Sequence, residues 1–375
     1  MIHTNAAAKV QAAGGVRSIA FDATQRLRLA SGENLAPLTI AFETYGALNA
    51  ERTNAVLVCH DLTHDQFVAS ANPVTGRAPW WPRIVGPGRP IDTNRLYVIC
   101  SNVLGGSMGS TGPASRAADG QPYALRFPAI GVADMVRAQA MLIEALGIED
   151  LFLVAGAGMG GMQALNWASA YPKRVFACAS IATAARQPAH AAALSEIGRQ
   201  AIMADPDWRD GLYHGHAVKP SRGLDVARMG ADIVTQPAEA IRADAAHRRE
   251  RFSFRLEGYG GGRMDANSFL YLSRAMDQFD LAADYGGDLA NALKDAATRH
   301  CVIAFTSDWR YPPAESRALA RALIAGGVEA SYVEIDSSGG NQAYLGDEPQ
   351  LEATLTGFVD AAAAARGLSL QAKES

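Results

Sequence analysis

The chain has 375 residues, 49% of them hydrophobic and 19% charged, with a formal net charge of -4. That composition supplies a large core, and it gives no whole-chain attraction to nucleic acid or to an anionic membrane surface, so neither partner class is expected. The one basic cluster, "HRRER" (247–251), stands in a mixed-charge stretch and reads as a solvated helix face. The four cysteines, Cys59, Cys100, Cys178 and Cys301, lie in or at the end of apolar runs with no CxxC spacing and no metal-ligand pattern. They read as buried thiols in a reducing compartment. The opening "MIHTNAAAKVQAAGG" has no apolar stretch of signal-peptide length, and no run approaches the ~18 residues that span a bilayer, so a cytoplasmic location is expected.

In chain order, "LTIAFETYG" (38–46) alternates as a half-exposed strand. The runs "AVLVC" (55–59), "RLYVIC" (95–100), "LFLVA" (151–155), "VFACASI" (175–181), "HCVIAF" (300–305) and "EASYVEI" (329–335) are short and continuously apolar. Such runs suit strands covered on both faces. Helical periodicity occupies 131–147, 160–171, 313–327 and 348–367. Strands alternating with helices imply an α/β fold with a mostly parallel central sheet. From 183 to 294 the pattern changes to amphipathic helices and glycine-rich turns, which reads as a helical cap inserted into the sheet domain. The expected division is an N-terminal extension (1–35), a first core part (36–182), the cap (183–294) and a second core part (295–375).

The segment "LFLVAGAGMGG" runs from strand to glycine-rich turn and is followed by a helical pattern. It matches G-x-G-x-x-G, but a dinucleotide site also wants an acidic residue roughly 20 positions on. No Asp or Glu occurs between Asp150 and Glu196. The competing template is G-x-S-x-G, a sharp turn that exposes a nucleophile above the sheet, with the acid and then the histidine following in the chain. Here Gly158 stands at the nucleophile's position. Asp308, just beyond "HCVIAF", stands where the acid belongs. The loop after "EASYVEI" holds Asn341 and no histidine, the last histidine of the chain being His300.

"VLVCHDLT", "WWPRIVGPGRPIDTNRLYVICSNVLGGSMGSTGPAS", "GMGGMQALNWA", "GLDVARM", "DANSFLYLSRAMDQFDLA" and "SDWRYPP" resemble the homoserine O-acetyltransferase family of α/β-hydrolases, from about Leu38 to the C-terminus. The resemblance implies a Ser-His-Asp enzyme that moves acetyl from acetyl-CoA to the homoserine hydroxyl, as a dimer joined through the cap. Carried onto this sequence, it puts Gly158 at the nucleophile, Asp308 at the acid, Asn341 at the histidine, and the N–H groups of Leu62 and Met159 at the oxyanion hole. It also puts Arg228 on the substrate carboxylate and Gln342 where the family has an acidic residue. The segments "VTQPA" (234–238) and "EGYGGGR" (257–263) depart from the family's cap.

Glycine supplies no nucleophilic atom, and an asparagine amide cannot take and return a proton near neutral pH. The reading drawn from these replacements is a catalytically inactive chain that binds a small carboxylate or acyl ligand, or a protein partner, through Arg228, with no cofactor. The alternative is an active acyl-CoA-dependent O-acyltransferase or esterase with a non-standard nucleophile, acetyl-CoA then being a co-substrate. Other residues have structural readings. His60 and His64 are candidates for a replacement base but belong to the loop beside the oxyanion hole, Trp80 and Trp81 pack at the pocket rim, and Ser107, Ser110 and Thr111 are candidate nucleophiles of a glycine-rich loop that resembles the one in family members with a working triad. Asp308 also suits a capping role, and Arg228 an ordinary ion pair.

Overall fold

The structure is a computed structural model that describes residues 10–235, 264–294 and 297–368. The basic cluster at 247–251, the segment 257–263 and residues 236–238 lie outside the described residues. Nine strands form one sheet: β1 (Val10–Ala13), β2 (Val16–Phe21), β3 (Leu38–Tyr45), β4 (Ala55–Cys59), β5 (Tyr97–Ser101), β6 (Leu151–Ala157), β7 (Val175–Ile181), β8 (Arg299–Phe305) and β9 (Ala330–Ile335). Their spatial order is β1-β2-β3-β5-β4-β6-β7-β8-β9. From β5 to β9 every pairing is parallel, and β1, β2 and β3 add an antiparallel edge. The stretch read as an extension before the domain therefore contributes two of the sheet's strands, β1 and β2. Both are short and largely exposed, which left them without a continuous apolar signature.

The continuous apolar runs have the predicted cause. In β4, Leu57 and Cys59 pack into one hydrophobic cluster, while Val56 and Val58 pack into the cluster on the opposite face. Helices α1 (Val132–Ala145) and α2 (Met159–Ala170) cover the first face. Between β7 and β8 lie α3 (Ala189–Met203), α4 (Ser221–Thr235) and α5 (Ala266–Asp277). Helix α6 (Pro313–Ala325) follows β8 on the first face, and α7 (Pro349–Arg366) covers the second after β9. Among the described residues no helix is long and apolar enough to cross a membrane.

The helices after β7 are tied together by charge. Arg199 of α3, 5% exposed, is 2.6 Å from Asp277 of α5 and 2.7 Å from Glu196. Asp265 caps α5 by accepting from Ser268 N–H at 2.8 Å, and it also accepts from His214 and Tyr213. The apolar residues of α5, including Phe269, Leu270, Leu272 and Met276, are buried against the chain itself. They are not an open face, so the pattern in "DANSFLYLSRAMDQFDLA" reports internal packing and gives no support to a dimer.

Helix α2 starts against the end of β4. A Cβ on Gly160 would lie 2.0 Å from the Cys59 carbonyl oxygen, so only glycine lets the helix approach this closely. Behind the turn a buried amide chain fixes it. Gln163 donates to the carbonyls of His60 and Met159, each at 3.2 Å, Gln139 donates to Gln163 at 2.7 Å, and Trp167 donates to Gln139 at 2.8 Å. Gly160→Ala must push helix from strand and should cost about 3 kcal/mol or more in urea unfolding. Gly357→Ala, on an exposed position of α7 with open space around it, should be neutral or stabilise by up to about 1 kcal/mol. Equal effects from the two would contradict this packing.

Candidate active site

The turn between β6 and α2 places Gly158 at φ 56°, ψ -122°, a conformation that side-chain-bearing residues adopt only under strain. This is the backbone of a nucleophile elbow. Its carbonyl accepts from the Thr183 hydroxyl at 2.8 Å, and its N–H donates to the Ile181 carbonyl at 3.2 Å. Two of the other expected positions pair with each other. Asp308 follows β8 and is 3% exposed, and Asn341 follows β9 and is 1% exposed. The Asn341 amide donates to Asp308 Oδ2 at 2.8 Å and to the Ala182 carbonyl at 3.3 Å. Asp308 Oδ1 accepts from Tyr311 N–H at 2.9 Å, so the carboxylate turns its own loop and does not cap α6, whose N-cap is Pro312.

The group that the sequence reading missed is Asp61. Its carboxylate lies directly over the elbow, and Met159 N–H donates to its Oδ1 at 2.8 Å. A Cβ on Gly158 would be 2.7 Å from Oδ1 and 2.8 Å from Cγ of Asp61, so the space of a nucleophilic side chain is taken. Arg310, 6% exposed, approaches Asp61 Oδ2 at 3.8 Å. The signals were an acidic residue just past a buried strand in "CHDLT" and a basic one in "SDWRYPP". Their pairing is tertiary and no spacing shows it.

Several of the residues singled out in the sequence are held in structural contacts. His60 Nδ1 pairs with the Asp61 carbonyl at 2.8 Å, and its Nε2 accepts from Val103 N–H at 3.1 Å. Trp81 donates to the Tyr344 carbonyl and is buried. The Ser110 hydroxyl donates to the Asn102 carbonyl at 2.6 Å, and Thr111 Oγ1 accepts from Thr39 N–H at 2.8 Å. Trp80 stacks on His64 with ring centroids 4.9 Å apart. Burial lowers the His64 pKa to about 4, against the pull of Asp61, and its Nδ1 has no partner among the described residues.

The loop that carries Asp61 borders a cavity of about 250 Å³, with His60 and Leu62 in its wall. Leu62, Ser107, Arg228 and Gln342 line it, and so do Arg77, Asp65 and Asp232, which the sequence reading did not single out. Burial lowers the Arg228 pKa, Asp225 opposes this, and Arg77 adds to the lowering, so the two cations feel each other across the site. Gln342 is neutral and donates to Thr235 Oγ1 at the end of α4 at 3.2 Å. Its neutrality does not leave the walls with positive charge alone, because Asp65 and Asp232 line the same cavity. Among the described residues no group of three or more His, Cys, Asp and Glu could hold a metal ion.

Similarities to known proteins agree with this fold. Residues 54–229 match the family model for the alpha/beta hydrolase fold. The chain is 51% identical to a homoserine O-acetyltransferase of Mesorhizobium japonicum, over 93% of this chain and 94% of that protein. It is 52% identical to one of Caulobacter vibrioides, over 93% and 96%. Among solved structures it resembles homoserine O-acetyltransferase from Bacillus anthracis (TM-score 0.79, 26% identity, 92% of this chain and 98% of that one). It also resembles esterase E22 (TM-score 0.80, 26% identity, 94% and 100%). These likenesses correct the expectation of an inactive binder. Relatives half identical over nine-tenths of the chain are named as acyltransferases, and they favour the alternative of transfer without the usual nucleophile.

Two outcomes test the geometry. Gly158→Ser forces a side chain onto both a left-handed backbone and the Asp61 carboxylate, and should cost about 1 to 3 kcal/mol in urea unfolding without creating a fluorophosphonate-reactive serine. Adding Asp61→Ala should recover part of that loss, and a fully stable, labelled single variant would contradict it. The second outcome concerns Asp308, whose pKa burial raises from 3.8 to about 6, against the hydrogen bonds from Tyr311 and Asn341. A raised folded pKa contributes stability that is complete below the unfolded value and lost as pH rises through the folded one. Relative to Asp308→Asn, the wild type should therefore gain about 1 kcal/mol between pH 7 and pH 5, and parallel pH profiles would refute this.

Proposed function

Because the chain belongs to the homoserine O-acetyltransferase family of α/β-hydrolases, we propose that it is a cytoplasmic acyl-CoA-dependent O-acyltransferase whose acceptor is homoserine or a similar hydroxy amino acid. The observation that carries this reading is the charge on the cavity walls, which Arg77, Arg228, Asp65 and Asp232 line together. A zwitterion matches such walls, its carboxylate toward a guanidinium and its ammonium toward a carboxylate. The cavity lies at the small end of ligand sites, which suits an amino acid and not a bulky acceptor.

The chemistry proceeds without a serine. Acyl transfer needs an attacking oxygen, a base for its proton and donors for the developing oxyanion, and Met159 N–H, one of the two donors expected from the sequence, is already held by Asp61. Neither Gly158 nor Asn341 provides one of the first two, so the acceptor hydroxyl itself supports a role as the attacking oxygen, with acetyl-CoA as co-substrate. Arg228 holds the acceptor's carboxylate, and a bidentate guanidinium contact is worth about 1.5 to 3 kcal/mol when shielded from water.

The test is thiol release from acetyl-CoA with and without L-homoserine. Homoserine-dependent release is expected, with the homoserine KM raised at least about tenfold in Arg228→Ala. Release no faster than the enzyme-free background, or an Arg228→Ala variant with an unchanged KM, would contradict it. Hydrolysis of simple acetyl esters without acceptor dependence would instead favour an esterase, as the likeness to esterase E22 allows.

A further inference from the structure

We propose that Asp61 is the general base of a direct transfer between acyl donor and acceptor, an inference that rests on the acyltransferase reading above. Its carboxylate is the one acidic oxygen pair among the described residues that stands over the elbow. Oδ1, Cγ and Oδ2 would lie 2.7, 2.8 and 3.0 Å from a Cβ on Gly158, which is where a nucleophile's oxygen and its acyl group would otherwise sit. The position is held rigidly. Oδ1 accepts from Met159 N–H at 2.8 Å, and the Asp61 carbonyl accepts from His64 N–H at 3.1 Å and pairs with His60 Nδ1 at 2.8 Å. Asp61, 6% exposed, does not itself line the cavity and stands just behind its wall, between His60 and Leu62, which do.

His64, whose Nδ1 has no partner among the described residues, is the one competing base on the cavity wall, and the other neighbouring groups are committed elsewhere. His60 uses both ring nitrogens, Asp308 accepts from Tyr311 N–H and Asn341, and Asn341 is an amide. Gly158 is then consistent with the mechanism, since a transfer with no acyl-enzyme needs no side chain at the elbow, and a serine would displace the base.

The step balances as follows. The acceptor's O–H proton passes to the Asp61 carboxylate while its oxygen bonds to the thioester carbonyl carbon. The tetrahedral intermediate collapses with cleavage of the carbon–sulfur bond. The departing thiolate takes the proton from the Asp61 carboxyl group, which leaves an ester, a free thiol and the carboxylate restored. Nothing is oxidised or reduced, and no bond to the protein forms.

Asp61→Asn keeps the shape and removes the base, so kcat for homoserine-dependent thiol release should fall at least about 100-fold, with both KM values within about threefold of wild type. Asp61→Ala opens room beside Met159 N–H, and added formate should restore its rate at least about tenfold. If a single variant fails to fold because Arg310 loses its partner, the pair Asp61→Asn with Arg310→Gln carries the same test. Asp61→Asn turning over within about fivefold of wild type, with the loss found in His64→Gln instead, would overturn the role and move the base to His64. A burst of thiol from acetyl-CoA alone with an acetylated protein would also overturn it. If the wild type transfers nothing, the acyltransferase reading itself fails, whereas transfer that survives in Asp61→Asn defeats the base role alone.

Discussion

One hydrogen bond organises the centre of this protein, from Met159 N–H to the Asp61 carboxylate. Met159 is the first residue of α2, so its N–H points outward with no partner inside the helix, and the positive end of the helix dipole favours an anion there. In most elbows that donor would wait for an oxyanion. Here a side chain of the same chain fills the place, and glycine at 158 is the only residue that leaves room for it. The absence of a side chain at the elbow and the presence of a carboxylate above it are thus one structural fact.

That arrangement joins four loops at the same end of the sheet. Asp61 follows β4, Met159 follows β6, Asp308 and Arg310 follow β8, and Asn341 follows β9. The four polar side chains are all under 10% exposed, with Arg310 3.8 Å from Asp61 and Asn341 2.8 Å from Asp308. Buried charges tolerate such surroundings only when matched, and deleting one member strands the other. The acid and histidine positions of an inherited triad have become a closed amide–carboxylate pair. The cavity bounded by Arg228 and Gln342 is lined by His60 and Leu62, the residues on either side of Asp61.

Much of this was legible in the sequence because it rests on local pattern. The strands from β3 to β9 and the helices α1, α2, α6 and α7 announced themselves as apolar runs or 3.6-residue periodicity, and the elbow as glycines after a strand. Gly158, Asp308 and Asn341 were placed from chain order alone, and the structure pairs Asp308 with Asn341. What was not legible depends on contacts across the chain. The exposed β1 and β2 lack a buried-strand signature, the apolar stripe of α5 reads the same whether it faces a partner or the chain's own core, and the Asp61–Arg310 pairing spans 249 positions. The inference of inactivity failed in the same way. It counted the triad's empty positions without knowing that a carboxylate stood over one of them, and the acyltransferase relatives, half identical throughout, point the other way.

A transfer that proceeds without a covalent acyl-enzyme requires donor and acceptor to be bound together. The most direct measurement is the initial-velocity matrix with acetyl-CoA and L-homoserine both varied. Reciprocal plots that intersect to the left of the axis are the predicted result, because neither product can leave before both substrates have entered. Parallel lines, with thiol released before homoserine binds, would contradict it and return the chemistry to a covalent nucleophile elsewhere in the site.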